Sequence, residues 1–112
     1  MVFIIRAQRG LLDAGCGEGW YDRCIAQAFA EKGSRVQLAG FDIAKPAVRL
    51  AAKALPTAQY AVASSFSQPV RTGWADLLLN CFSPFAQEEF CRVLGECRTM
   101  PTNFTRDVIM KA

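Results

Sequence analysis

The segment from Leu11 to Tyr21, LLDAGCGEGWY, sets Gly15, Gly17 and Gly19 on alternate positions between an apolar run and a stretch of helical period. Glycine takes positive φ without steric cost, so such a segment turns a buried strand sharply into a helix and lets backbone approach a ligand closely. The helix that follows presents free N–H groups at that point. The spacing is G-x-G-x-G. A G-x-G-x-x-G dinucleotide fingerprint would need glycine where Trp20 stands, and a Walker A loop would need Gly-Lys-Ser/Thr, which is absent. A purely structural tight turn is the alternative reading of the same residues.

Around this loop, apolar runs and helical patterns alternate. Leu11–Ala14 reads as a buried strand, and Trp20–Lys32 as a helix with Tyr21, Cys24, Ile25, Ala28 and Phe29 on its apolar face, ended by Gly33. Arg35–Ile43 reads as a second strand. Pro46 opens a second helix with Val48, Ala51, Ala52 and Leu55 inward, which Pro56 stops. Gln59–Ala63 is a third strand, Ala75–Phe82 a fourth, and Gln87–Leu94 a helix with Phe90, Val93 and Leu94 on one face. Parallel neighbours need crossover connections, so this order predicts an α/β fold: a parallel sheet with helices on both faces. After Leu94, GECRTMPTNFTRDVIMKA shows no clear period.

Composition narrows the chemistry. A chain of 112 residues makes at most one domain, and 52% hydrophobic with 21% charged residues suffices for a core. A net charge of +3 is too mild to mark a nucleic-acid binder. Arg6, Arg9, Arg71, Arg92, Arg98, Arg106 and Lys111 are scattered and read as solvated surface. The absence of histidine removes Ser-His, Cys-His and H-E-x-x-H chemistry from this chain. The five cysteines form no C-x-x-C pair, so no metal site is expected; they read as buried thiols of a reduced, cytoplasmic protein. The apolar stretch Val2–Ile5 is too short for a signal-peptide core, and no stretch is long enough to span a membrane.

Asp42 stands at the carboxyl end of the second strand, 23 positions after Gly19. A carboxylate there can accept both hydroxyls of a ribose, although alone it would also serve as a helix cap. With these residues in place, LLDAGCGEGWY, GFDIAK, AVASS and ADLLLNCFSPF resemble motifs I to IV of the class I S-adenosylmethionine-dependent methyltransferases. The combination D-x-G-C-G-E-G-x-Y, D-I/V-x-K and V-A-S-S is similar to bacterial 23S rRNA (guanine-N1)-methyltransferases. The resemblance covers roughly residues 10 to 95.

The resemblance implies a Rossmann-like fold and S-adenosyl-L-methionine as cofactor. By it, Asp13, Gly15, Cys16, Gly17, Glu18 and Gly19 shape the methionine pocket, Asp42 holds the ribose, Ile43 packs on the adenine, and Ser64 with Ser65 lies at the adenine edge. Tyr21 matches the aromatic after the loop, with a core role equally open. Methyl transfer relies on holding two reactants in line, so a missing histidine is no obstacle. In the segment after the fourth strand, Asn80 and Phe82 are candidates for positioning the target: Asn80 to hydrogen-bond a base, Phe82 or Phe85 to stack on one. A strand-ending asparagine and core-filling phenylalanines are the alternatives, and Asp76 reads as structural.

Only strands one to four of the class are legible. The paired cysteines of the zinc-binding module of guanine-N1 relatives do not occur among these residues, and Arg92-Val93-Leu94-Gly95-Glu96-Cys97 departs from their R-V-x-x-P-G-G. The expectation is a single partial domain with its motifs in 10–95 and an unassigned tail, 96–112. Its fourth strand would be an open apolar edge inviting self-association or pairing with Val2–Ile5. Two functions follow: a methyltransferase acting on ribosomal RNA or a small molecule, or a non-catalytic S-adenosylmethionine-binding module.

Overall fold

The computed structural model describes residues 9–81, 83–95 and 106–110. Its elements run β1 (Arg9–Ala14), α1 (Trp20–Glu31), β2 (Val36–Asp42), α2 (Lys45–Ala54), β3 (Gln59–Val62), β4 (Leu77–Cys81), α3 (Gln87–Leu94) and β5 (Arg106–Met110). The sheet order is β3-β2-β1-β4-β5. The first four strands are mutually parallel, as the strand–helix alternation requires. The chain steps from β1 through β2 to β3, then returns to pair β4 on the other side of β1. That reversal opens a crevice at the carboxyl ends of the strands.

The edge of β4 is not open. Strand β5 pairs with it antiparallel along its whole length, from Leu77 opposite Met110 to Cys81 opposite Arg106. This corrects the expectation of an exposed fourth strand, and with it the self-association proposed through that edge. Five residues of mixed polarity carry too short an alternation to be read as a strand; the unpaired N–H and C=O groups of β4 supply the reason for Arg106–Met110 to extend. Pairing by Val2–Ile5 lies outside the described residues.

Alternation along β1 sends Leu12 and Ala14 to one face and Leu11 and Asp13 to the other. Leu12 and Ala14 pack with Phe41, Leu78, Phe90, Val93 and Leu94, so α3 covers that face with the side the sequence predicts. All of β1 after Arg9 is buried, which fits a central strand covered on both faces. Helix α2 buries Val48 and Ala51 as expected, while Ala52 is exposed. Helix α1 departs further. Cys24 and Ala28 are exposed, and the inward positions are Asp22, Ile25, Ala26 and Phe29. The helix is turned because the Asp22 carboxylate is drawn inward by a hydrogen bond from Tyr60. Cys24 therefore departs from the expectation of buried thiols, whereas Cys16 and Cys91 meet it.

The register lines up Asp13, Gly40 and Tyr60 in one row across β1, β2 and β3. Tyr60 lies close over Gly40, where a Cβ would come within 2.8 Å of its Cε1 and 3.0 Å of the Cys16 Cβ. At the other end of β1, Asp76 is structural as read: its carboxylate accepts the Gly10 N–H at 2.9 Å and its own N–H donates to the Gly10 carbonyl at 2.8 Å. Among the described residues no helix is long and apolar enough to cross a membrane. Gly40→Ala is expected to destabilise the fold by about 1–3 kcal/mol through overpacking. Denaturant unfolding checks this, and an unchanged midpoint would remove Tyr60 from that slot.

Candidate functional site

The loop from β1 to α1 turns through Gly15, Gly17 and Gly19 at φ 71°, 55° and 76°. At Gly17 the left-handed backbone aims the N–H at Asp42, which accepts it through Oδ2 at 2.9 Å. Asp42 Oδ1 accepts the Ala44 N–H at 2.9 Å. The Cys16 N–H donates to the Phe41 carbonyl at 2.9 Å. Two bonds from the loop to the end of β2 thus fold it over the crevice.

A cavity of about 370 Å³ lies beside this fold of backbone. Gly15 and Gly17 form one wall, Asp42 and Ile43 the next, and Ala63, Ser64 and Ser65 a third, closed by Ser83 and Pro84. Ile43 is 78% exposed at its rim. A Cβ on Gly17 would meet no protein atom within 4 Å, so the space beside that amide is left open. Ser64 and Ser65 sit on a long β3–β4 loop that α3 holds in place. The Arg92 guanidinium donates to the carbonyls of Val70 at 2.7 Å and Gln68 at 2.9 Å, and Glu89 accepts the Gln68 N–H at 2.7 Å. Arg92 also pairs with Glu89, holding that carboxyl below its ordinary range. Arg92 is therefore a structural clamp rather than a free surface cation.

A second cavity, about 260 Å³, lies against the same glycines and is lined by Asp13, Cys16, Glu18, Trp20 and Tyr21. Gly15 and Gly17 belong to both cavities. Gly19 lines neither; it lets α1 close on α2 and β3, where a Cβ would stand 3.1 Å from both the Ala51 Cβ and the Tyr60 hydroxyl. Asp13 is 1% exposed and Asp22 0%. The Tyr60 hydroxyl donates to Asp22 Oδ2 at 2.7 Å, while Oδ1 of each acid has no hydrogen-bond partner. Burial, then the neighbouring Asp22, pushes Asp13 up to about 9, so it holds a proton at neutral pH. Burial pushes the Cys16 thiol up to about 12, which keeps it protonated and unreactive.

The cofactor residues expected from sequence thus gather at one end of the sheet, with Gly19 as the packing exception. Of the target-positioning pair, Asn80 is 1% exposed within β4, and its Oδ1 accepts the Ser83 hydroxyl. It meets the first cavity only through Ser83. Phe82 lies outside the described residues. Phe85 packs edge-on against Phe90 with ring centroids 5.5 Å apart, a core role. Sequence reading missed Asp22 and Tyr60. A single acid in the first turn of a helix looks like a favourable charge at the helix N-terminus, and nothing local says that it is buried.

Residues 12–101 match the family described as methyltransferase domain. The 23S rRNA (guanine(748)-N(1))-methyltransferase of Streptomyces fradiae is 35% identical over 85 residues, which cover 75% of this chain and 29% of that protein. Geranyl diphosphate C-methyltransferase from Streptomyces coelicolor A3(2), solved with S-adenosyl-L-homocysteine, is similar with a TM-score of 0.65 at 15% identity. That likeness covers 77% of this chain and 34% of the other. The cyclase SpnF is similar with a TM-score of 0.66 at 20% identity, over 80% of this chain and 36% of its own. These solved structures share the fold, and their different names separate fold from chemistry.

Arg92→Ala removes a charged donor from two loop carbonyls and is expected to cost about 1.5–3 kcal/mol. Hydrogen exchange should rise across the 64–75 loop before the rest of the sheet; uniform exchange would show that Arg92 does not hold it.

Proposed function

The chain belongs to the methyltransferase domain family, and from that premise we propose that it is the cofactor-binding core of an S-adenosyl-L-methionine-dependent methyltransferase that methylates guanine N1 in ribosomal RNA. The guanine target rests on the 35% identity to the Streptomyces fradiae enzyme, of which this chain spans 29%. The observation that carries the site reading is the pair of cavities sharing Gly15 and Gly17, with Asp42 on one side and Asp13 on the other. An elongated ligand with an uncharged adenosyl end and a charged amino-acid end fits that division. Both cavities are of a size to hold parts of a small molecule.

Asp42 is already held by two backbone N–H groups, yet each of its oxygens keeps a lone pair for a ribose hydroxyl. Ile43 offers an exposed apolar face to a base, and Ser64 and Ser65 offer polar groups at its edge. Asp13, Cys16, Glu18 and Tyr21 surround the amino-acid end. The chemistry supplied by S-adenosyl-L-methionine when bound is transfer of a sulfonium methyl group. The protein's part is alignment of donor and acceptor and exclusion of water. Asn80 acts by holding Ser83 at the cavity wall, with Phe82 in the same segment as a stacking candidate. Trp20, Ile43, Val62 and Phe66, each at or soon after the carboxyl end of a strand, are exposed apolar side chains of the kind that unstacked RNA bases cover.

Calorimetric titration with S-adenosyl-L-methionine should show binding, and Asp42→Ala should weaken it about 10- to 100-fold through loss of charge-assisted hydrogen bonds. Unaltered affinity would displace the ribose from Asp42. Transfer of labelled methyl to guanine in a ribosomal RNA fragment supports the full proposal. Binding without transfer reduces the chain to a binding module, and no binding overturns the reading.

A further inference from the structure

The row Asp13–Gly40–Tyr60, with Asp22 beneath it, does more than pack. Tyr60 comes from β3, Asp22 from the first turn of α1 and Asp13 from the end of β1. Gly40 and Gly19 lack the Cβ atoms that would collide with the Tyr60 ring or hydroxyl, so the tyrosine reaches Asp22 at 2.7 Å. The two acids are almost wholly buried and close enough to act on each other, and each keeps one oxygen without a partner. Leaving two acceptors unpaired costs free energy that packing alone does not require. One of the two, Asp13, lines the cavity of about 260 Å³.

We propose that Asp22 and Tyr60 are positioning residues that make this cavity a receptor for a cationic ligand end, the α-ammonium of the methionine part, with binding coupled to release of one proton from the Asp13–Asp22 pair. This rests on the reading of the cavity given above. The groups facing Asp13 are Asp22 from α1, Tyr60 from β3 with its hydroxyl on Asp22, Asp42 from β2, and the Cys16 thiol of the loop, with the Glu18 side of the cavity beyond. No lysine or arginine among the described residues acts on Asp13. Burial, and then the adjacent carboxyl, opposes ionisation of Asp13, so without a counter-charge the free protein keeps a proton there.

Arrival of an ammonium supplies that counter-charge. The O–H bond of Asp13 breaks, its proton passes to the buffer, and the carboxylate accepts an N–H from the ammonium. Tyr60 keeps Asp22 hydrogen-bonded and in place while Asp13 gives up its proton. Because binding favours the deprotonated pair, affinity rises with pH, about tenfold per unit, as long as the free pair holds its proton and the ammonium remains charged. An aspartate with an ordinary pKa would be ionised before binding and would give a flat profile over the same range.

The test is calorimetric titration of the full chain with S-adenosyl-L-methionine between about pH 6 and 7.5, below the loss of an α-ammonium proton. It is run in two buffers of different ionisation enthalpy. The expected results are a rise in affinity of about tenfold per unit and a buffer-dependent heat equal to about one proton released. The compound 5′-methylthioadenosine, which keeps the adenosyl end and lacks the amino-acid end, should bind with neither effect. Asp22→Asn removes the neighbouring acid but leaves the burial of Asp13, so it should lower the number of protons released and make the profile shallower, and Tyr60→Phe should weaken S-adenosyl-L-methionine while 5′-methylthioadenosine still binds. If either variant fails to fold, the two-buffer measurement on the unaltered chain decides. Binding of S-adenosyl-L-methionine with a flat profile and no proton release overturns this inference and leaves the cofactor reading standing. Proton release undiminished in Asp22→Asn overturns the role of Asp22. Absence of binding at every pH overturns the cofactor reading and this inference with it.

Discussion

Two hydrogen bonds between the glycine loop and the end of β2 determine the shape of everything at the carboxyl end of the sheet. The Cys16 N–H is held by the Phe41 carbonyl and the Gly17 N–H by the Asp42 carboxylate. The loop that makes them passes through left-handed conformations at Gly15, Gly17 and Gly19, which a side chain resists. Once made, they place Asp42 at the crevice, set one cavity on each side of the loop, and deliver the chain to the start of α1. The carboxylate of Asp42 is thus a structural anchor as well as a candidate ligand. A substitution there acts on both roles.

The two cavities differ in electrostatic character, and the difference comes from what surrounds each. Around the larger one stand backbone, serines, an exposed isoleucine and one carboxylate, Asp42, already held by two backbone N–H groups, with the β3–β4 loop braced by Arg92 and Glu89. Behind the smaller one stand two buried acids and a tyrosine, with no basic partner acting on Asp13 among the described residues. Burial alone would favour replacing such a pair by apolar residues. Its position facing a cavity gives the pair a use that packing does not.

Much of the scaffold was legible because its signals are local. The apolar run Leu77–Leu79, the glycines after Ala14, and Phe90, Val93 and Leu94 on one helical face each carry their meaning within a few residues. All three recur in the structure as a buried strand, a turn and a core face. Asp42 was legible for the same reason, since strand, turn and helix can be read around it. The misreadings share the opposite property. Strand β5 exists because β4 offers it hydrogen bonds, and those five residues say nothing of β4. The face of α1 was misjudged because its apolar periodicity yielded to one buried aspartate held by a tyrosine 38 positions away.

By itself, then, the sequence determined the alternation of strands and helices, the turn that only glycine permits, and the carboxylate placed at the carboxyl end of the second strand. Those depend on backbone stereochemistry and hydrophobic period, which act over a few neighbouring residues. The tertiary structure alone decided that Asp13 and Asp22 share one buried site, that Tyr60 reaches them over Gly40, and that Arg92 serves the β3–β4 loop instead of the surface. Charge and desolvation act through space, so the protonation of an acid depends on which residues the register brings beside it.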